Sequence, residues 1–449
     1  MIELDAAIVG GGFSGCAVAA HLSRRAASGF ALALFEPDEP GRGAAYGTRH
    51  REHVLNTRAH QMSLYSDDSD HFVRWLGVRG GPTDFVSRRL YGDYVAEIAS
   101  GAFQRPRFTH IPDRVAAVRR GEQRGFVVES SSGASFNARA VVLATGNPAP
   151  TDEFLPLEIR LHPGYIADPW RFDFESVGGH VLIVGSGLTA LDVLVALKAG
   201  GHRGAVHVLS RHGRFPEVHA NVAPYDVIPA LDTHDARSLL RSFRRHVEDA
   251  SKRGFDWRAV VDAVRPEAEA FWRRLSPVEQ RRFERHLRSH WERHRHRAPQ
   301  QVEAVRREYR RSGRLFSYAG RLAGVRRGTV EIALSSGATA EVRPDWIVNC
   351  SGVGRARAMA RDPLIGPMLT DGIVSAEPAG LGLRTTRELV AIDASGNPTR
   401  GLWIVGPPVR GSRFEATAVP ELRAMAEQVS SDLLGVSRDS LRKSLEARP

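Results

Sequence analysis

A chain of 449 residues, 42% hydrophobic and 25% charged, has room for two or three packed domains and the composition of a globular protein. Its net charge of +11 comes mainly from arginine, without a polybasic tail or an aromatic–basic stacking motif, so an anion-friendly surface is expected rather than a nucleic-acid partner. Two cysteines, Cys16 and Cys350, with no C-x-x-C argue against a disulfide framework and a dithiol–disulfide centre. The lack of any run of 18 apolar residues argues against a membrane helix, and a first strand starting at Ile2 leaves no room for a signal peptide, so a cytoplasmic protein is expected.

The apolar run Ala6-Ala7-Ile8-Val9 leads into Gly10-Gly11-Gly12-Phe13-Ser14-Gly15, followed by a helical pattern from Cys16 to Leu22. A G-x-G-x-x-G between a buried strand and a helix allows a tight turn and lets a pyrophosphate approach the helix N-terminus. Gly10, Gly12, Phe13, Ser14 and Gly15 are therefore cofactor-binding candidates. The next strand, Ala31 to Phe35, ends at Glu36. A carboxylate there suits the ribose hydroxyls of FAD or NAD and repels a 2′-phosphate.

Farther along, short alternating strands run from Val118-Arg119-Arg120-Gly121 through the turn Ser132-Gly133-Ala134 to Val141-Val142-Leu143-Ala144-Thr145-Gly146. Val115, Thr145 and Gly146 join the cofactor-binding candidates. A second fingerprint, Gly185-Ser186-Gly187-Leu188-Thr189-Ala190, follows the strand Val181-Leu182-Ile183-Val184. Gly185, Gly187, Leu188 and Thr189 are its candidates. Its second strand ends in Ser210-Arg211-His212, with no acid. A guanidinium at Arg211, with Ser210 beside it, pairs with a 2′-phosphate and points to NADPH rather than NADH. Two such motifs predict two dinucleotide sites and hydride passage between them.

Residues from about 231 to 311 break this rhythm and predict three or four helices inserted in the second dinucleotide domain. Ser276-Pro277-Val278-Glu279 is a capping box with proline at the first helical position, and Leu239, Leu240, Phe243 and Val247 recur at helical spacing. The insertion reads as a lid or pocket wall, with a homodimer interface as the alternative. His286, His290 and His294 stand at i, i+4, i+8; flanked by arginines and lacking a carboxylate or cysteine cluster, they read as a solvated basic face and no metal is expected. After the insertion the earlier pattern returns: Val325-Arg326-Arg327-Gly328, Ser336-Gly337-Ala338, then Ile347-Val348-Asn349-Cys350-Ser351-Gly352. Gly352 is the counterpart of Gly146.

This doubled arrangement resembles the two-dinucleotide-binding flavoproteins. The resemblance implies an α/β chain with two Rossmann-like dinucleotide-binding domains, the glutathione-reductase-like fold, interrupted by a helical segment. It implies an FAD-binding domain in 1–165 and 351–449 and an NADP-binding domain in 166–350. Leu402-Trp403-Ile404-Val405-Gly406-Pro407-Pro408 resembles that superfamily's last FAD strand, and Glu415-Ala416-Thr417-Ala418-Val419-Pro420-Glu421 a final helix opening toward the flavin. Gly406, Glu415 and Thr417 enter as FAD-binding candidates on that ground.

Leu55-Asn56-Thr57-Arg58, Met62-Ser63, Asp67-Asp68 and Tyr91-Gly92-Asp93-Tyr94-Val95 are similar to segments of the NADPH-using flavin-containing and N-hydroxylating monooxygenases. The chain as a whole resembles bacterial FAD/NAD(P)-binding proteins related to them. The resemblance implies FAD and NADPH as cofactors, Met62 near the flavin and Asn56 as a catalytic side chain at its edge. It implies oxygenation of an amine or other soft nucleophile by molecular oxygen through a flavin C4a-(hydro)peroxide. A reductase or dehydrogenase without oxygen insertion, or a redox-sensing binding protein, is the alternative. The Baeyer–Villiger pattern F-x-G-x-x-x-H-x-x-x-W is not matched, since Asp168 stands where its histidine would be and Trp170 comes too early.

Overall fold

The computed structural model describes residues 2–121, 125–229, 231, 233–354 and 356–435; positions 436–449 of the expected C-terminal FAD segment lie outside the described residues. Two compact units emerge: Met1–Thr48, Thr57–Pro148 and Gly354–Pro449 form one, Arg49–Asn56 and Ala149–Val353 the other. The boundary expected at 165 therefore falls after Pro148, and Arg49–Asn56 also joins the second unit. The reason is packing: Leu155 and Ile159 are buried in the apolar cluster of the second unit with Leu182, Val184 and Ile347, and half-buried Tyr165 packs against it.

The first unit contains β1 (Ile2–Val9), β2 (Leu32–Phe35), β3 (Phe108–Ile111), β4 (Val115–Arg120), β5 (Phe126–Ser130) and β6 (Ser135–Leu143). The second contains β7 (Tyr165–Ile166), β8 (Val181–Val184), β9 (Val206–Ser210), β10 (Leu315–Arg326), β11 (Thr329–Leu334), β12 (Thr339–Val342) and β13 (Trp346–Asn349). Strands β14 (Val390–Ile392) and β15 (Pro398–Ile404) return to the first. The strand order is β14-β15-β6-β1-β2-β3 in one sheet and β12-β11-β10-β9-β8-β13-β7 in the other. Both hold the same four-strand parallel core, β3-β2-β1-β6 and β10-β9-β8-β13. Val9 pairs with Phe35 and Leu143, and Val184 with Leu209 and Asn349. Such strands are covered on both faces, which is why they read as unbroken apolar runs instead of alternating ones.

The two halves differ where a proline falls. In the first, Pro112 separates β3 from β4, while β6 runs unbroken from its antiparallel pairing with β5 into its parallel pairing with β1. In the second, β10 is continuous, and Pro344 separates β12 from β13. A residue without an N–H interrupts a ladder wherever it lands, so one topology is cut at two different corners.

The central helices are Ala236–Lys252, Trp257–Val264, Ala268–Arg274, Pro277–His286 and Arg288–Arg295, then Gln300–Arg311. The last corrects the expected insertion boundary. Its Val302 and Tyr309 are buried with Leu191, Leu194 and Val208, so it packs on helix Leu188–Ala199 as part of the dinucleotide fold. It provides the crossover between the parallel strands β9 and β10, a connection that needs a helix. The hydroxyl of Ser276 accepts from the Glu279 amide at 3.3 Å, but the Glu279 carboxylate reaches the Ala236 amide at 3.0 Å. The capping residue thus also ties two helices of the insertion. The histidine series is not one helical face: His286 ends one helix, Leu287 breaks it, and His290 and His294 belong to the next.

Candidate functional site

In the first unit, the glycine loop is shaped by contacts no side chain could share. Gly10 has φ +103°, and a Cβ there would lie 2.5 Å from the Ala144 carbonyl oxygen. A Cβ on Gly15 would lie 1.9 Å from the Gly10 oxygen. Both positions therefore need glycine. Helix Phe13–Arg25 then begins at Gly12 with no side chain capping it. Its first amides are left for an anion, the arrangement a pyrophosphate uses.

Glu36 closes this loop from the end of β2. Its Oε2 accepts from the Gly11 amide at 2.8 Å, and among the described residues its Oε1 accepts only a long bond from the Asp38 amide, at 3.3 Å. One oxygen thus holds the loop and the other remains available for a ribose hydroxyl. On another side, Ser14 is buried, and a Cβ on Gly406, whose φ is +86°, would lie 2.8 Å from its Oγ. The turn after β15 therefore crosses the start of the first helix. Helix Val419–Leu433 follows with no side-chain cap, and the Thr417 amide donates to the Glu415 carbonyl at 2.7 Å, with Glu415 buried and Thr417 exposed. Thr145 and Gly146 continue β6; a Cβ on Gly146 would meet nothing within 4 Å. Val115 is buried at the start of β4.

The 62–64 segment is held by two tyrosines of helix Arg88–Phe103. Tyr91 donates to the Met62 carbonyl at 2.9 Å, and Tyr94 accepts from the Leu64 amide at 3.1 Å while lying 2.9 Å from His71 Nδ1. This explains the paired tyrosines of Tyr91-Gly92-Asp93-Tyr94 physically. Burial drives both phenols up, so they stay neutral.

The second unit repeats the first. Gly185 has φ +115°, and its Cβ would lie 2.1 Å from the Cys350 oxygen, as Gly10 stands against Ala144. Helix Leu188–Ala199, with Thr189 in its first turn, starts at Gly187 with no side-chain cap, and a Cβ on Gly187 or Gly352 would meet open space. Ser186 Oγ lies 2.8 Å from Ser210 Oγ and donates to the Arg214 carbonyl at 2.6 Å, tying the loop to the end of β9. Arg211 follows, exposed, with no ion-pair partner among the described residues.

Asn56 is grouped with the second unit, where its carbonyl lies 2.9 Å from His219 Nε2. Sequence reading missed His219, whose pairing across 163 residues has no local signal. It also missed what Asp168 does in place of the absent histidine: its carboxylate accepts from the Trp170 amide at 3.0 Å, capping the short helix Pro169–Arg171. The two thiols are far from reactive. Cys16 donates to the Gly11 carbonyl at 3.1 Å, and burial pushes both Cys16 and Cys350 well above the usual thiol range. Among the described residues no group of three or more His, Cys, Asp or Glu side chains is placed to hold a metal.

Comparison with known proteins agrees with this geometry. Residues 7–148 match a family described as FAD-NAD(P)-binding. No curated protein matches the chain by sequence. Among solved structures, L-lysine 6-monooxygenase from Pseudomonas syringae is similar at 15% identity and a TM-score of 0.65, over 96% of this chain and 99% of that one. The FAD-bound cadaverine monooxygenase from Erwinia amylovora aligns at 13% identity and TM-score 0.64, over 98% and 97%. Bacillithiol disulfide reductase from Staphylococcus aureus aligns at 12% and 0.60, over 97% and 99%. The chain therefore has the fold of the two-dinucleotide-binding flavoproteins along nearly its whole length.

Proposed function

We propose that this protein is an FAD-dependent, NADPH-using monooxygenase that oxygenates an amine or another soft nucleophile. The fold is shared by amine monooxygenases and by a disulfide reductase. The observation that favours oxygenation is the state of the cysteines. A thiol–disulfide relay needs an accessible thiolate, and both thiols here are buried and held protonated.

The residues present fit the cofactors. Both glycine loops are cut back to backbone, and both following helices are uncapped by side chains. When bound, FAD supplies hydride acceptance and oxygen activation. The chain's part is to bind and orient. Gly10, Gly12, Phe13, Ser14 and Gly15 would hold the FAD pyrophosphate and Glu36 its ribose. Met62, Val115, Thr145, Gly146, Gly406, Glu415 and Thr417 would line the rest of that site. Gly185, Gly187, Leu188, Thr189 and Gly352 would hold NADPH, with Ser210 and Arg211 at its 2′-phosphate. Asn56 remains the candidate for the flavin edge on the strength of the resemblance.

The deciding experiment supplies NADPH and labelled oxygen with a panel of primary amines and thioethers. Amine-stimulated oxygen uptake with one labelled atom in the product supports the proposal. Turnover with dyes but not oxygen would make the protein a reductase, and cofactor binding without turnover a sensor.

A further inference from the structure

Residues 231–311 carry 21 of the chain's arginines and lysines against 13 acids, an excess of eight within a net charge of eleven. Several arginines in this segment are neutralised locally. Arg253 pairs with Asp226, Arg258 with Asp256, Arg288 with Glu284 and Glu292, and Arg297 with Asp262. One cluster is different. The ring of His290, on helix Arg288–Arg295, lies 6.1 Å from that of His212, just past β9. The other ionisable groups that act most on His290 are Arg214 from the same loop, Arg244 from helix Ala236–Lys252, and His294 one turn along its own helix. No carboxylate is among them. His212, Arg214, Arg244 and His290 are all exposed and have no ion pair among the described residues.

The cluster has a fixed place. Ser186, between the two glycines of the second fingerprint, donates to the Arg214 carbonyl, and Gly213 donates to Ser210 Oγ at 3.0 Å. The loop carrying His212 and Arg214 is thereby pinned to the dinucleotide turn. Two uncompensated arginines, Arg214 and Arg244, beside a nucleotide loop repel one another until an anion arrives.

We propose that the helical insertion supplies one wall of a phosphomonoester subsite beside the second glycine loop, with His290 binding the 2′-phosphate of NADP(H) in its protonated form. This rests on the reading of NADPH as the second cofactor. It gives the insertion a binding role in addition to any covering role. It also predicts a proton linkage. Partial burial and the neighbouring Arg214 lower the His290 pKa from its ordinary value of 6.5 in the free protein. At neutral pH the ring is mostly neutral, and a dianion beside it draws a proton on.

The test uses the FAD-loaded full chain and NADP⁺, with NAD⁺ as control. Calorimetry at about pH 7, in buffers of differing ionisation enthalpy, reads the protons taken up on binding. Wild type should take up a fraction of a proton with NADP⁺ and none with NAD⁺. His290→Ala should lose most of that uptake and weaken NADP⁺ by about tenfold, leaving NAD⁺ unchanged. His290→Lys should restore the affinity without the uptake. A His290→Ala protein with wild-type proton uptake and NADP⁺ affinity would overturn the proposal. If wild type itself shows no preference for NADP⁺ over NAD⁺, the NADPH reading has failed instead.

Discussion

The Gly11 amide donates to the Glu36 carboxylate at 2.8 Å, so the residue at the end of β2 also fixes the glycine loop beside it. A Cβ on Gly11 would lie 2.6 Å from the Cβ of Glu36, which leaves no slack between them. The purified protein should be yellow and carry FAD, with mass spectrometry of the released chromophore as the check. Glu36→Ala should weaken FAD by tenfold or more, at about 1.5–3 kcal/mol for a lost hydrogen bond to a charged group, and Glu36→Gln should weaken it less. FMN in the native protein, or unchanged FAD affinity in Glu36→Ala, would count against this site.

Arg211 should set the preference for NADPH. Arg211→Ala should raise the Michaelis constant for NADPH by about tenfold or more, as expected for one guanidinium–phosphate pair, and leave that for NADH nearly unchanged. Steady-state kinetics with both nucleotides decide it. Equal losses would mean that Arg211 does not read the phosphate.

His21 predicts acid sensitivity of the fold. It is fully buried on helix Phe13–Arg25, and neither ring nitrogen has a hydrogen-bond partner among the described residues. Burial first, then the Arg25 charge, lowers its pKa from 6.5 to about 4. A histidine held neutral in the folded state contributes stability that is complete above its unfolded pKa. That stability is lost as pH falls from about 6.5 toward 4, by an amount on the order of 3 kcal/mol. Denaturant unfolding across this range should show the loss, and His21→Leu should flatten it. A variant with the wild-type acid slope would assign the loss to other groups.

Neither cysteine should take part in turnover. Alkylation of the native protein by iodoacetamide should be negligible until denaturant is added, because both thiols are buried and protonated. Cys16→Ser and Cys350→Ala should retain NADPH oxidation. Rapid labelling of Cys16 in the folded protein, with loss of activity, would revive a thiol-based reaction.

The corrected insertion boundary makes a deletion informative. Replacing residues 235–296 by a short Gly/Ser loop should leave a folded protein that retains FAD, because helix Gln300–Arg311 still bridges β9 to β10. Extending the deletion through Arg311 should abolish folding of the second unit. Circular dichroism and flavin content read both. Equal folding of the two variants would show that the crossover helix is dispensable.

Much of this was legible in the sequence because it is local. Gly10 and Gly185 sit between apolar runs of the right length, and the required backbone conformations follow from the turn itself. Glu36 was legible because a strand end fixes its position. What escaped was decided at a distance. Helical spacing at Val302 and Tyr309 says that a helix exists, not which layer buries it, so the crossover helix read as part of the insertion. The break at Leu287 separates residues that look continuous in pattern. His212 and His290 stand 78 residues apart in sequence, and only folding brings their rings within contact.

The parallel pairing of β15 with β6 has a consequence for how the chain is made. Leu143 finds its partner Ile404 only after more than 250 further residues have left the ribosome. At typical elongation rates that is roughly ten to fifty seconds. Throughout that interval the edge formed by Val141, Val142 and Leu143 faces the crowded cell with unmet backbone groups and apolar side chains. The second unit, Arg49–Asn56 with Ala149–Val353, is fully synthesised and can close meanwhile. A nascent chain stalled before β15 would thus hold one finished unit and one adhesive one, a natural client for holding chaperones.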